Sequence, residues 1–299
     1  MYDKLNQCPV CENRSLENKL ICKDYLVSKE SFAIVECTAC GVRLTNPFPI
    51  ETELEKFYQS EDYASHQTKR KSLMDVLYSI VRWYALRKKE KQIKKLFHSI
   101  SSSQKEKSLL DIGCGNGDFI RLCQRKGWKI KGVEPNPKAR EVASQKTGQI
   151  IEKNIQLIEN QQFGLISCWH SLEHVPHINE TIKKCYDLLI KDGIMVIALP
   201  NYMCYDAQLY KEYWAGYDVP RHLYHFEKNS VKKLLKKHKL KLIHTLPMKW
   251  DAYYVSLLSE KYKNGKLHYF QGFLNGWKSN RWASKHEHNY SSLIYIAKK

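Results

Sequence analysis

The sequence predicts an α/β fold: an open, mostly parallel sheet flanked by helices, behind a small cysteine-rich unit. Three observations predict it. The first is the passage Leu109-Leu110-Asp111-Ile112-Gly113-Cys114-Gly115-Asn116-Gly117-Asp118-Phe119-Ile120, where a short apolar run meets three spaced glycines and then apolar spacing of helical type. The second is the return of strand-like runs at residues 128–134, 163–169 and 194–200, with helix starts and ends between them. The third is a pair of C-x-x-C motifs, Cys8-Pro9-Val10-Cys11 and Cys37-Thr38-Ala39-Cys40, close to the first residue.

The cysteine pairs come first in the chain. Each can supply two thiolates to one tetrahedral zinc, and four thiolates leave no open position, so the expected metal is structural. A single C-x-x-C can instead be a redox disulfide; two pairs with Gly41 after the second favour Cys8, Cys11, Cys37 and Cys40 as zinc ligands, with a spacing that resembles a zinc ribbon. Cys22, Cys114, Cys123, Cys168, Cys185 and Cys204 lie mostly among apolar residues and read as small core residues. No signal peptide or spanning segment is visible, so reduced thiols and a cytoplasmic setting are expected. Leu44-Thr45-Asn46-Pro47-Phe48-Pro49 is extended by its prolines and ends the small unit.

A helical stretch over residues 69–98 follows, then a polar linker, Ser101-Ser102-Ser103-Gln104-Lys105-Glu106-Lys107. The chain carries a formal charge of +18 over 299 residues. The charge gathers in this helix (Lys69, Arg70, Lys71, Arg87, Lys88, Lys89, Lys91, Lys94, Lys95) and again in residues 228–241. Such a field attracts nucleic acid, anionic lipid or acidic small molecules. With Leu73, Leu77, Trp83 and Tyr84 on its apolar side, the helix reads either as a cover packed over the sheet with a solvated basic face or as a peripheral contact with an anionic membrane surface. Nucleic acid is the weakest of these readings.

The glycine turn then names a ligand class. Gly113, Gly115 and Gly117 permit backbone angles and close approaches that side chains forbid. Dinucleotide sites use G-x-G-x-x-G with a pyrophosphate at the helix N-terminus. Here the spacing is G-x-G-x-G and Asp118 follows, an acidic neighbour that repels phosphate and tolerates a cation such as a sulfonium. The next strand ends at Glu134, whose carboxylate can accept both hydroxyls of a ribose. Pro135-Asn136-Pro137 breaks that strand and opens a helix. A fourth-strand passage runs Phe163-Gly164-Leu165-Ile166-Ser167-Cys168-Trp169-His170-Ser171-Leu172-Glu173-His174-Val175. A fifth runs Lys191-Asp192-Gly193-Ile194-Met195-Val196-Ile197-Ala198-Leu199-Pro200-Asn201, read as a turn and then a strand that stops at Pro200.

These passages, in this order over residues 105–247, resemble class I S-adenosylmethionine-dependent methyltransferases, and the ribbon-first arrangement resembles a bacterial group that includes sugar C-methyltransferases. The resemblance implies a Rossmann-like seven-stranded sheet whose last strand is antiparallel. It implies S-adenosyl-L-methionine as cofactor, with contacts from Asp111, Gly113, Cys114, Gly115, Gly117, Glu134, Trp169 and His170. Trp169 and His170 would flank its methionine end or adenine, while Glu173 and His174 shape the loop. The ribbon would help cover the substrate. The expected organisation is a zinc ribbon at 1–48, a helical cap and linker at 49–104, and the catalytic domain at 105–299 with insertions at 201–226 and 250–288.

Catalytic candidates fall in the first insertion. Its stretch Trp214-x-x-x-Asp218-x-Pro220-Arg221-His222-x-x-His225-Phe226 resembles a signature of the same group. Methyl transfer needs alignment of donor and acceptor, and a hydroxyl or acidic C–H acceptor must also lose a proton to a base. His222 is the first candidate for that base. Arg221 is read either as a clamp on an anionic substrate group or as the ion-pair partner of Asp218, with His222 then capping the next segment. His225 reads as structural. The sugar C-methyltransferases carry a Y-H-E-H loop here, and this chain has Pro220 and Arg221 where that loop has His and Glu.

A helix is expected over residues 231–240, a strand over 240–246 and a last strand over 291–297. The insertion at 250–288 holds Trp250, Tyr253, Tyr254, Tyr262, Tyr269, Phe270, Phe273, Trp277 and Trp282, which either line a pocket for a large apolar acceptor or form a packed lid. The expected function is methyl transfer to a small-molecule acceptor: a natural product, a lipid-like molecule or a sugar derivative. A nucleic-acid methyltransferase is the alternative, against which stands the lack of an N-P-P-Y or D-P-P-Y motif after the fourth strand and of a Pro-Cys nucleophile. A non-catalytic cofactor-binding scaffold is the third reading.

Overall fold

The computed structural model describes residues 1–58, 86–97 and 107–299. Much of the expected basic helix, including Lys69, Arg70, Lys71, Leu73, Leu77, Trp83 and Tyr84, lies outside the described residues, as does the linker but for Lys107.

The N-terminal unit is built of short antiparallel strands: β1 (Tyr2–Asp3), β2 (Leu16–Lys23), β3 (Ser31–Cys37), β4 (Arg43–Thr45) and β5 (Phe48–Pro49). β1 pairs with β5, and β2, β3 and β4 form successive antiparallel neighbours. The fourth strand of that second sheet comes from far along the chain: Tyr224 and His225 pair with Leu44 and Arg43. After α1 (Glu51–Leu54) and a turn of 3-10 helix at Glu55–Tyr58, the chain is helical again at residues 86–97, here α2.

The large sheet follows from the apolar runs. β6 (Ser108–Ile112), α3 (Asp118–Arg125), β7 (Lys129–Val133), α4 (Pro137–Thr147), β8 (Phe163–Trp169), α5 (Ile178–Leu188) and β9 (Leu189–Pro200) alternate strand and helix. α4 begins as its residues dictate, with Pro137 in the first turn and the Asn136 side chain accepting from Ala139 N at 3.0 Å. Then come α6 (Tyr205–Tyr210), β10 (Tyr224–His225), α7 (Lys228–Lys237), β11 (Lys241–Pro247), α8 (Asp251–Asn264), α9 (Tyr269–Ala283) and β12 (Ser292–Lys298).

The strand order is β11-β12-β9-β8-β6-β7. The β6–β9 core is parallel, and β12 runs antiparallel to both of its neighbours, as expected for the last strand. The strand count needs correction: among the described residues the ladder has six strands. The seventh position, outside β7, is held by one isolated parallel bridge between Val133 and Glu152. The expected turn at Lys191-Asp192-Gly193 is absorbed into β9. Leu189 pairs with Phe163, the register then shifts, and Ile194 pairs with Leu165, so the extra residues bulge with Asp192 at φ 63°.

Side-chain alternation divides the core. Leu110 and Ile112 face one layer, which also holds Cys8, Val10, Cys37, Cys40, Val42 and Leu44 of the N-terminal unit. Leu109 faces the other, with Ile93 and Phe97 of α2 and Phe119 and Ile120 of α3. α2 thus buries Ile93 and Phe97 on the sheet and leaves Arg87, Lys88, Lys91, Lys94 and Lys95 exposed. Met195 through Leu199 are fully buried, each side chain contributing roughly 1.5–3 kcal/mol if large and apolar. No helix among the described residues is long and apolar enough to cross a membrane.

Candidate active site

The carboxyl ends of β6, β7 and β8 meet at the glycine turn. Gly113 N and Cys114 N both donate to Val133 O, at 2.8 and 3.0 Å, which folds the turn back over β7. Gly113 has φ +72°, and a Cβ there would fall 2.5 Å from the Ser171 side chain. Gly117, at φ +75°, would meet Ala143 of α4 at 2.9 Å. Gly115 differs: at φ +54° it faces open space with no atom within 4 Å of where a Cβ would lie, which leaves a gap beside a bare backbone.

Glu134 closes one side of that gap. Its Oε2 accepts from Gly115 N at 2.8 Å and its Oε1 from Asn136 N at 2.9 Å. Burial raises its pKa, opposed by those two backbone donors. Each oxygen keeps a lone pair for a further donor. Asp111, 2% exposed, accepts from Ser167 Oγ at 2.5 Å, and burial pushes its carboxyl up to about 7. Cys114 is buried and its thiol is raised for the same reason. Asp118, by contrast, leans away and pairs with Lys146 at 2.7 Å.

Trp169 packs edge-on to Phe119, ring centroids 5.6 Å apart, and its indole Nε1 is buried without a hydrogen-bond partner. Lys89 of α2 sits with Nζ 4.5 Å from the Trp169 ring centroid. Burial lowers its pKa, while Asp251 and Asp111 act in the opposite direction. His170 takes a left-handed conformation, φ 52°. Its Nε2 stands 3.0 Å from Asp251 Oδ2 and its Nδ1 3.5 Å from Glu173 Oε1. Burial lowers its pKa, but the two carboxylates outweigh that and hold it at about 9.

Ser171 Oγ donates to Ile112 O at 2.7 Å, tying the glycine turn to the loop that carries Glu173 and His174. That loop meets the His222 segment. His222 is 8% exposed, its Nδ1 lies 2.9 Å from Gly216 O, and its Nε2 lies 4.0 Å from both Glu173 Oε1 and Asp218 Oδ2. The rings of His174 and His222 are edge-to-face with centroids 4.6 Å apart. His174 Nδ1 lies 3.1 Å from Arg221 O and 3.0 Å from the Tyr58 hydroxyl, and burial holds this imidazole down at about 4. Glu173 is fully buried. Burial pushes its pKa up, but the three nearby imidazoles prevail and leave it at about 2.

Arg221 and Asp218 require correction as catalytic candidates. Arg221 is 1% exposed, and all three of its nitrogens are engaged within the protein. Nε and Nη2 donate to Asp218 at 2.7–3.1 Å, Nη2 to Asp24 at 3.0 Å, and Nη1 to Phe57 O at 3.0 Å. The guanidinium therefore pins the β2–β3 turn and the Glu55–Tyr58 turn to the His222 segment, and holds Asp218 rather than a substrate anion. Asp24 belongs to this pin and sequence reasoning gave no sign of it; the contact spans 197 positions. His225 is 4% exposed, with Nε2 3.1 Å from Thr45 Oγ1 and, among the described residues, no partner for its Nδ1.

The aromatic insertion is the α8–α9 hairpin. Tyr254, Tyr269, Phe270, Phe273 and Trp277 project outward. The inner contacts are polar: Asp206 accepts from Trp214 Nε1, Ser279 Oγ and Ser291 Oγ, and Tyr210 donates to Glu260. Tyr262 differs from the outward rings and stacks on Tyr25 of the N-terminal unit, ring centroids 4.5 Å apart.

At the far end of the N-terminal unit, the Cys8, Cys11, Cys37 and Cys40 sulfurs lie within 4.8 Å of one another, with Cys8–Cys40 at 3.5 Å and Cys11–Cys37 at 3.4 Å. Thiolates on a tetrahedral zinc stand about 3.8 Å apart, from zinc–sulfur bonds near 2.3 Å, so the donor set fits that ion. The Cys40 contact draws the Cys8 thiol down to about 5 and correspondingly raises Cys40.

Comparison with known proteins agrees with this architecture. Among curated proteins, the chain is 30% identical over 108 residues to the ubiquinone biosynthesis O-methyltransferase of Actinobacillus pleuropneumoniae serotype 5b (strain L20), covering 32% of this chain and 46% of that protein. It is 29% identical over 105 residues to the enzyme of the same name from Yersinia pestis (strain Pestoides F), covering 32% and 43%. The chain spans less than half the length of these relatives. Among solved structures, it superposes on a Galdieria sulphuraria protein described as a sarcosine dimethylglycine methyltransferase with TM-score 0.51, 15% identity, and coverage of 73% and 88%. It superposes on magnesium protoporphyrin IX methyltransferase from Synechocystis PCC 6803 with bound SAH at TM-score 0.50, 11% identity, and coverage of 83% and 99%. At such identities the likeness is one of fold. The model of the family described as "Methyltransferase domain" matches residues 84–245, more than half of the chain, which therefore belongs to that family.

Proposed function

We propose that this protein transfers a methyl group from S-adenosyl-L-methionine to an oxygen of a small-molecule acceptor. The observation that carries the reading is the junction made by Ser171: it joins the open glycine turn beside Glu134 to the nest of Glu173, His174 and His222. The open backbone at Gly115 and the imidazole nest thus lie at the same edge of the sheet, which supports a reading of cofactor and proton-handling group side by side. The residues fit the cofactor. Gly115 leaves room at bare backbone, Glu134 has lone pairs for two ribose hydroxyls, and Lys89 offers a cation for an α-carboxylate. The orphaned Trp169 Nε1 is a donor in need of an acceptor. When bound, this cofactor supplies a methyl group on a sulfonium centre that needs no further activation. The protein's work is then to align the acceptor and to manage its proton, and the His222 Nε2 that faces Glu173 is placed for that. The O-methyltransferase relatives favour oxygen as the accepting atom. We also assign a structural zinc to Cys8, Cys11, Cys37 and Cys40.

Titration calorimetry with S-adenosyl-L-methionine tests the cofactor half. Glu134→Ala is expected to weaken binding by roughly 1.5–3 kcal/mol, the worth of a hydrogen bond to a charged group; unchanged affinity removes the ribose assignment. Incubation with methyl-labelled cofactor and fractionated cell extract identifies the acceptor class. On that acceptor His222→Ala is expected to lower the rate ~10²–10⁴-fold while cofactor affinity persists. A rate equal to wild type excludes His222.

A further inference from the structure

We propose that Glu173, His174 and His222 form a second metal site, one that takes a divalent transition-metal cation such as Zn²⁺ with two imidazoles and one carboxylate. One ligand atom from each residue lies within 4.8 Å of the others. Two ligands that share a tetrahedral metal at about 2.1 Å stand about 3.4 Å apart, and His222 Nε2 and Glu173 Oε1, now at 4.0 Å, reach that spacing with a closure of about 0.6 Å.

The tautomers favour ligation. Gly216 O and Arg221 O can only accept, so Nδ1 carries the hydrogen in both His222 and His174, and the Tyr58 oxygen accepts a second branch from His174. Nε2 is then the lone-pair nitrogen of each ring. A backbone carbonyl holding Nδ1–H is the usual outer support of a metal-bound imidazole. Glu173 supplies the independent observation. It is 0% exposed, yet among the described residues neither of its oxygens has a hydrogen-bond partner. The nearest imidazole donor, His170 Nδ1, stands 3.5 Å away. This buried carboxylate is held by neighbouring charge instead of by hydrogen bonds, and a ligated cation would satisfy its oxygens. Asp218, equally close to His222, is spent on Arg221 and is no rival.

The charges around the nest point the same way. Even with His170 protonated, the cations Arg221, His170 and Lys89 face the carboxylates of Asp24, Asp218, Glu173 and Asp251, so the nest keeps an excess of negative charge that a bound cation offsets. Two histidines and one carboxylate leave open coordination positions, the pattern of a reactive rather than a structural ion. This differs from the closed four-sulfur set in the ribbon. The cation's role rests on the methyltransferase reading: it would ligate the acceptor hydroxyl, whose proton then passes to solvent, because in the metal-loaded protein the His222 Nε2 lone pair is on the metal and His222 is a ligand instead of the base. The site itself does not depend on that reading.

The test is metal content of the full-length protein, saturated with Zn²⁺ and freed of excess by gel filtration. Two zinc equivalents per chain are expected in the wild type and one in Glu173→Gln, which keeps the side chain's shape; His222→Asn is the second variant should the first fail to fold. Loading with Co²⁺ separates the sites, because only the ribbon gives thiolate charge-transfer bands. Loss of the remaining visible bands in Glu173→Gln, with the thiolate bands intact, supports the proposal. A wild type that saturates at one equivalent, or a second equivalent untouched by both variants, overturns it. Calorimetry with S-adenosyl-L-methionine, run separately, decides the cofactor reading, so the two failures can be told apart.

Discussion

Asp111 shows how a single residue can oppose the fold that holds it. It sits within the apolar β6 with only the Ser167 hydroxyl as a donor, and burial lifts its pKa from an ordinary value near 4 to about 7. The folded protein therefore holds a proton that the unfolded chain releases between those values. By linkage, stability from this group is greatest below pH 4 and declines as pH rises to 7. Asp111→Asn keeps the acceptor for Ser167 and removes the charge. It is expected to raise unfolding stability in urea on the order of 2 kcal/mol at pH 8, with the gain vanishing towards pH 4. A gain of equal size at both pH values would mean a packing effect instead.

At the scale of elements, the α8–α9 hairpin depends on two glycines on one face of a helix. A Cβ on Gly276 would come within 2.7 Å of the Tyr253 backbone, and one on Gly272 within 2.8 Å of Leu257. Gly276→Val must push the helices apart and is expected to cost roughly 2–3 kcal/mol in chemical denaturation. Replacing the outward Phe270 by Ser is expected to cost under about 0.5 kcal/mol; comparable losses would contradict the packing described. Elements of this kind differ in how far they were legible. β6, β8 and the glycine turn were plain because apolar runs and glycines act within a few residues. The turn expected at Lys191–Gly193 failed because pairing with β8 drew those residues into a bulged strand. The fourth strand of the ribbon sheet, Tyr224–His225, left no mark, since its partner is β4, about 180 positions away. The same distance hid the Arg221–Asp24 pin, so the sequence left an arginine in a signature loop open between a clamp on substrate and an ion pair with Asp218.

Over the whole molecule, the ribbon is continuous with the catalytic unit. Cys8, Cys37 and Cys40 share an apolar layer with Leu110, Cys168 and Leu223, β10 completes the ribbon's sheet, and Arg221 fastens it from the other side. The segment that carries His222 therefore lies between two structures, and Thr45 Oγ1, from β4, donates to His222 O at 2.6 Å. Loss of the zinc proposed for Cys8, Cys11, Cys37 and Cys40 should then be felt at the candidate active site as well as at the N-terminus. Cys37→Ser is expected to release one zinc equivalent and to lower Tm by roughly 5–15 °C, from a few kcal/mol at the 2–4 °C per kcal/mol of a chain this size. Unfolding should remain a single transition, because the shared layer leaves the ribbon no separate core. Methyl transfer should fall together with stability, while cofactor affinity, set by Glu134 and the glycine turn on the far side of Ser171, changes least. An early, separate transition that leaves the main unfolding step and the methyl-transfer rate unchanged would show instead that the ribbon is a detachable cover.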